Sequence, residues 1–125
     1  LKTLKGAPEE CEAFDCVDCD SLESLEYSPK KCSRVYRCYR CNSLVDLKGA
    51  PEKCDRFECN NCESLTSLEG APRECELFNC YGCTSLMSLE GAPEKCNHFE
   101  CGRCGGRFTK DHVMKAVKKV NRIGI

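Results

Sequence analysis

Residues 75–96 read CELFNCYGCTSLMSLEGAPEKC, and most of the chain is a variation on this stretch. Its apolar or small residues are separated by 3, 2, 3, 3, 3, 3 and 4 positions, and they are Cys75, Phe78, Cys80, Cys83, Leu86, Leu89, Ala92 and Cys96. A continuous helix would give a period near 3.6, and a long strand a period of 2. Only the Phe78-x-Cys80 step has strand spacing, so we predict one short strand there in each repeat, joined by tight turns or extended segments.

The pattern recurs five times with a nearly constant period. The motif Cys-x4-Cys-x2-Cys starts 21, 22, 21 and 21 residues apart, at Cys11, Cys32, Cys54, Cys75 and Cys96. The second copy has one extra residue, which we expect to bulge its strand. A period of this length indicates coils stacked into a solenoid. We therefore predict a repeat solenoid, mainly β or α/β, with about five 21-residue coils over residues 1–104 and a short parallel sheet.

The repeat stops after Cys104, and residues 105–125 are predicted to form a C-terminal cap. Thr109 is placed to cap a helix over about residues 110–120 that covers the last coil. Its apolar face would consist of Val113, Ala116, Val117 and Val120. Ile123 and Ile125 would then add a final edge strand.

The first coil begins part-way round, at Leu1, Leu4 and Ala7. The N-terminal edge of the solenoid is therefore predicted to be uncapped, and we expect further sequence before Leu1. Within the coils, a glycine recurs at one phase, but the second coil has Tyr27 there. We therefore expect that a positive φ is not obligatory at that position.

The order Cys-xx-Phe-x-Cys-xx-Cys-xx-Leu-xx-Leu-xx-Ala-Pro resembles the leucine-rich repeat, whose strand segment has the same 3-2-3 spacing and an Asn or Cys at the position of Cys62. Residues 62–68 and 83–89 look like the BspA-like short repeats of bacteria, and the Gly-Ala-Pro repeats are similar to short solenoids encoded by bacteria and phages. The resemblance covers about residues 1–104. It implies a protein-binding or structural scaffold, not a catalyst.

Composition excludes several functional classes. The net charge is −1, with 19 basic and 20 acidic residues, so there is no overall field for nucleic acid or an anionic membrane. No apolar run reaches the roughly 20 residues that span a bilayer. The two histidines, His98 and His112, have no serine or carboxylate beside them in a catalytic motif, and we predict that the protein is not an enzyme.

The 15 cysteines allow three interpretations. The first is a core of free thiols in a reducing, cytoplasmic compartment, with no cofactor, because cysteine behaves as a small apolar residue when buried. The second is a thiolate metal site (zinc or iron–sulfur) or a redox protein, built from the five CxxC pairs Cys16/Cys19, Cys38/Cys41, Cys59/Cys62, Cys80/Cys83 and Cys101/Cys104. The third is a set of structural disulfides.

The residues that alternate with the buried ones form an outward face. One column of this face reads Asp15, Arg37, Glu58, Asn79 and Glu100, so charges of opposite sign alternate between the first three coils. Arginine and tyrosine dominate interface hot spots. We therefore predict another protein as the partner, bound at a site centred on the basic second coil and formed by Arg34, Arg37, Tyr39, Arg40, Arg56 and Tyr81.

Overall fold

The computed structural model describes residues 2–125, and Leu1, which we assigned to the first coil, lies outside them. Six strands form one parallel sheet in chain order. The elements are β1 (Glu10–Asp15), β2 (Lys31–Arg37), β3 (Arg56–Glu58), β4 (Glu74–Asn79), β5 (Lys95–Glu100), α1 (Lys110–Ala116) and β6 (Lys119–Gly124). The predicted repeat solenoid, with its parallel sheet and C-terminal helix, is confirmed.

The strands of the coils begin earlier than predicted and end before the second cysteine of each repeat. β4, for example, covers Glu74–Asn79 and stops before Cys80. The first cysteine and the aromatic residue are three positions apart, yet both belong to the strand. In β4 the two residues between them, Glu76 and Leu77, both donate their N–H groups to the carbonyl of Asp55, at 2.8 and 2.9 Å. A spacing of three was therefore compatible with a strand that carries a local irregularity.

The extra residue of the second coil bulges its strand, as predicted. Cys11 is opposite Cys32, but Ala13 is opposite Val35, so β2 has one more residue than β1 in this interval. The surplus lies at Ser33 and Arg34, at the beginning of the outward face.

The core consists of columns, each formed by equivalent residues of successive coils. In the aromatic column the ring centroids of neighbours are 5.1 to 5.5 Å apart, through Phe14, Tyr36, Phe57, Phe78 and Phe99. The hydroxyl of Tyr36, which is buried, shares a hydrogen bond with Ser28. Leucine and cysteine columns complete the interior, so each coil is covered by its neighbours.

The expectation that a positive φ is not obligatory at the glycine phase was wrong. Tyr27 has φ 72°, in the same left-handed region as the glycines of the other coils, Gly6, Gly49, Gly70 and Gly91. A Cβ added to Gly70 would lie 2.4 Å from the Cα of Lys48, so this turn is also a close approach between two coil backbones. The tyrosine adopts the required conformation at a cost of about 1–2 kcal/mol.

The C-terminal cap is a short helix followed by a strand. Thr109 caps α1 as predicted, accepting a hydrogen bond from the N–H of His112. The helix ends at Ala116 rather than near residue 120, because Val117 already has extended backbone. Val120, predicted for the helical face, instead lies on β6 opposite Cys96.

The predicted edge strand is confirmed, since β6 pairs in parallel with β5 and places Ile123 opposite Phe99. Ile125 follows the strand and is exposed. Over residues 2–125, none of the helical structure has the length and apolar character that crossing a membrane requires.

Candidate functional site

The six predicted partner residues lie in the second, third and fourth coils. Arg34 and Arg37 are on β2, and Arg56 is on β3. Tyr39, Arg40 and Tyr81 lie in the turns that follow the strands. Because Arg37 is opposite Glu58 in the parallel register, equivalent residues of neighbouring coils are next to each other on this surface.

Arg37 is held between two carboxylates. Its Nη1 lies 3.7 Å from Oδ1 of Asp15 and its Nε lies 3.1 Å from Oε2 of Glu58. Glu58 also receives Nη2 of Arg56 at 3.4 Å, and the Glu58 side chain is only 6% exposed. A carboxylate withdrawn from water in this way requires such partners. Two of the predicted arginines are therefore already occupied within the chain, and Glu58 is a site residue that the prediction omitted.

Arg40 makes a bidentate pair with Asp18 of the preceding coil, with Nη2 3.0 Å from Oδ2. Both residues have positive φ, 51° and 58°, at the third position of the CxxC turn. The hydrogen bond from Arg40 lowers the pKa of the Asp18 carboxyl, and Asp18 in turn raises the pKa of Arg40. This pair is exposed, so its contribution to stability is small.

Arg34 differs from the other arginines of the site. It is exposed at the bulge of β2, and within residues 2–125 its side chain makes neither an ion pair nor a hydrogen bond. Its guanidinium is therefore available to an external carboxylate or aromatic ring.

A strip of three side chains runs across successive coils beyond the strand ends, and we call Tyr39, Asn60 and Tyr81 the tyrosine strip. All three are half-buried. Burial, followed by the nearby Glu58 carboxylate, raises the pKa of Tyr39. The side-chain oxygen of Asn60 is buried and has no hydrogen-bond partner in the part of the chain that is described. The prediction included both tyrosines but missed Asn60, whose sequence context contains no signal for this.

The cysteine columns have an internal hydrogen-bond pattern. From the second repeat onward, the third cysteine donates its S–H to the carbonyl oxygen of the second cysteine one coil earlier. The four sulfur–oxygen distances are 2.8, 2.9, 3.1 and 3.1 Å, from Cys41 to Cys16, Cys62 to Cys38, Cys83 to Cys59 and Cys104 to Cys80. These carbonyls follow the end of each strand and point into the core. A leucine at the donor position could not satisfy them.

All 15 cysteines are unbonded, and most are buried. The Sγ atoms of Cys11 and Cys32 approach to 3.9 Å at the first pair of strands, which is a contact and not a disulfide. Burial raises the pKa of Cys54 and of Cys101 to about 12, so these thiols are protonated at neutral pH. Among residues 2–125, no three histidine, cysteine or acidic side chains are grouped so that they could hold a metal ion.

Titratable side chains also occur at the helix cap and in a surface groove. The Nδ1 atom of His112 accepts the N–H of Thr109 at 2.9 Å, which completes the helix cap. A groove of about 910 Å³ crosses the beginnings of the strands. On its rim Glu74 pairs with Lys53 at 3.1 Å and with Lys95 at 3.6 Å, whereas Lys118 and Lys119 make no ion pair within residues 2–125. The first cysteines of four repeats also line this groove, namely Cys32, Cys54, Cys75 and Cys96.

The geometry thus supports a contact surface on the outward face and a thiol-filled interior. No protein-family model, no curated protein and no solved structure matches this chain.

Proposed function

We propose that this protein is a non-enzymatic binding or structural scaffold of the leucine-rich-repeat type, which contacts another protein through Arg34 and the tyrosine strip. The observation that carries the proposal is that these groups lack partners, whereas Arg37, Arg40 and Arg56 on the same face are paired with carboxylates. Arg34 has no ion pair in residues 2–125, and the Asn60 oxygen between the two tyrosine positions has no donor. Arginine and tyrosine are the residue types on which interface energy concentrates.

The ion-paired arginines have a supporting role in this proposal. Arg37 and Arg56 hold the buried Glu58 carboxylate, so they fix the surface on which Tyr39 is presented. Releasing either of them for a partner would leave Glu58 buried without its full set of cations. The partner is therefore expected to contact Arg34 and the tyrosine rings directly, and to leave the central ion pairs in place.

The size of the face limits the contact. Six strands about 4.8 Å apart and at most 7 residues long present a surface of roughly 500 Å². A standard interface buries about 800 Å² on each partner. The strands alone therefore offer only a small contact, and the turns that carry Tyr39 and Tyr81 add to its area.

The proposal includes a reducing, cytoplasmic environment and a bacterial or phage source. The first rests on the unbonded state of all 15 cysteines, since closely stacked thiols persist only where oxidants are scarce. The second rests on the resemblance of the Gly-Ala-Pro repeats alone.

Site-specific photocrosslinking tests the contact. A benzophenone amino acid is placed at Tyr39 or Tyr81 in cells that naturally produce the protein, and a matched control is placed at Met87, which is 67% exposed and lies outside the face. We expect a discrete adduct from the two tyrosine positions, weakened by Arg34→Ala, and none from Met87. Equal labelling from Met87, or no adduct from either tyrosine position, would refute the proposed surface. Peptide mass analysis separates a foreign partner from a second copy of this chain.

A further inference from the structure

The three cysteine columns differ in their access to solvent. From the second coil onward, the second and third cysteines of every repeat are buried. The cysteines that line the groove at the beginnings of the strands all belong to the first column, namely Cys32, Cys54, Cys75 and Cys96. Cys75 is only half-buried. A small reagent that enters the groove therefore reaches the first column before the other two.

Cys75 and Cys96 are direct neighbours in this groove. They lie opposite each other in the register of β4 and β5, which are inner strands of the sheet, flanked by β3 and β6. Neighbouring strands are about 4.8 Å apart. Disulfides join residues whose Cα atoms are roughly 4.4–6.8 Å apart. The two thiols also share a hydrogen bond, so a sulfur–sulfur bond between them would not require the strands to separate.

The two thiols differ in acidity. The hydrogen bond from Cys75 lowers the pKa of the Cys96 thiol, although burial opposes this effect. The same hydrogen bond, followed by burial, raises the pKa of Cys75. Cys96 is therefore the thiol that ionises, and Cys75 is the protonated thiol beside it. A thiolate next to a second thiol that can resolve its oxidised form is the arrangement on which reversible cysteine oxidation depends.

The other two cysteines of the groove lack this arrangement. The Cys32 thiol donates to the carbonyl oxygen of Val35 at 3.0 Å, and burial, followed by the nearby Cys11, raises its pKa to about 11. Cys54 lies before the start of β3, and burial raises its pKa to about 12. Both thiols are therefore protonated at neutral pH and react slowly as nucleophiles.

We infer that Cys75 and Cys96 are a reversible oxidation site, at which a hydroperoxide converts the two thiols into a disulfide. The Cys96 thiolate attacks the terminal peroxide oxygen, and the O–O bond breaks. The leaving oxygen takes up a proton and departs as water or an alcohol, and Cys96 becomes a sulfenic acid. The Cys75 sulfur then attacks the Cys96 sulfur, and the hydroxyl group leaves with the Cys75 proton as water. The peroxide thus gains the two electrons that the two thiols lose.

This site is separate from the proposed partner surface, because it lies at the beginnings of the strands and the tyrosine strip lies beyond their ends. It is compatible with the proposed reducing environment, since disulfides in such compartments are usually transient and sense oxidants. The unbonded cysteines of the structure correspond to the reduced state of the site.

Peroxide titration of the fully reduced chain tests the inference, with hydrogen peroxide and cumene hydroperoxide as the two probes. The remaining thiols are blocked with N-ethylmaleimide, and the bonds are located by fragmentation of tryptic peptides. Trypsin cleaves after Lys95, so Cys75 and Cys96 lie on different peptides. We expect one equivalent of peroxide to remove two thiols and to join these two cysteines, and dithiothreitol to restore all 15 thiols.

Three variants separate the roles of the two thiols. Cys96→Ala should consume peroxide about tenfold or more slowly, because the thiolate is lost. Cys75→Ala should retain a sulfenic acid on Cys96, which dimedone traps. The matched control Cys54→Ala changes the same column in the same groove and should still form the bond at an unchanged rate. Circular dichroism verifies the fold of each variant.

The mapping of the unmodified chain does not depend on the folding of any variant. A peroxide treatment that leaves every thiol free, or a first bond between any other two cysteines, would overturn the inference. So would equal slowing of Cys54→Ala and Cys96→Ala, or the absence of a dimedone adduct on Cys96 in Cys75→Ala.

Discussion

The thiol-to-carbonyl bonds predict opposite effects of serine and alanine at two cysteines of one repeat. At Cys62 the alanine variant should be the less stable of the two, and at Cys59 the serine variant. Cys62 is completely buried and its Sγ lies 2.9 Å from the carbonyl oxygen of Cys38, which accepts no backbone N–H in residues 2–125. Cys59 is equally buried, but its thiol donates to no oxygen in that part of the chain. The two positions thus differ in hydrogen bonding and not in exposure.

The magnitudes follow from this difference. Cys62→Ala leaves a buried carbonyl without a donor, which costs about 1–3 kcal/mol, whereas Cys62→Ser keeps a donor and should cost about 1 kcal/mol or less. At Cys59 the order reverses. Cys59→Ala removes one buried atom and should cost about 1 kcal/mol. Cys59→Ser buries a hydroxyl without a partner, which should destabilise the fold by about 1–3 kcal/mol beyond the alanine variant.

Urea denaturation of the four variants, under argon and with a reductant, measures the free energy of unfolding. The m-value must be unchanged, since a repeat protein can lose cooperativity and then has no single unfolding free energy. The same rank of serine and alanine at both positions would refute the assignment of the Cys62 thiol as a hydrogen-bond donor. Equal and severe losses together with released metal would refute the packed-thiol core altogether.

Three further predictions concern the backbone and the thiols. Gly70→Ala should lower stability by more than about 1 kcal/mol, because φ is 93° and the new Cβ would meet the Lys48 backbone at 2.4 Å. Gly6 has a similar φ of 96° but open surroundings, so Gly6→Ala should cost less. Equal losses of stability in the two variants would contradict the close approach between coils. Burial raises the pKa of Cys54 and Cys101 from the ordinary value of 9.0 to about 12, so the unfolded chain loses these protons at lower pH than the folded chain. Stability should therefore fall as the pH rises from 9 to 12. If the free energy of unfolding, measured by chemical denaturation, did not change over that range, the burial of these thiols would be contradicted. Thiol titration after anaerobic denaturation should find all 15 cysteines reactive, and the mass of the native protein should include no metal. Stoichiometric metal in the native protein would instead favour the CxxC pairs as ligands.

The elements that the sequence misplaced show where periodicity loses information. The spacing of three before Phe78 appeared incompatible with a strand, but one carbonyl, that of Asp55, accepts two N–H groups and keeps both residues in the sheet. The helix was extended to Val120 because that residue continues an apolar face. Tertiary pairing with Cys96 places it on a strand instead.

The sequence predicted where the candidate site lies, but not which of its side chains are ion-paired. The columns of the outward face followed from the period, and the alternating signs anticipated the contacts of Arg37 with Asp15 and Glu58. The sequence contained no means of separating Arg34, which has no ion pair in residues 2–125, from arginines that do. That distinction depends on the reach and direction of the side chains, and Arg37 and Glu58, for example, are 21 residues apart in the chain.

By itself the sequence determined that the chain is a solenoid and which residues share a column, because a constant period leaves equivalent residues only one way to stack. Only the tertiary structure decided which carbonyls point inward to the thiols, why Tyr27 must have the φ of a glycine, and which arginines of the outward face are ion-paired. The physical reason is that these features depend on the closeness of one coil to the next, which periodicity does not specify.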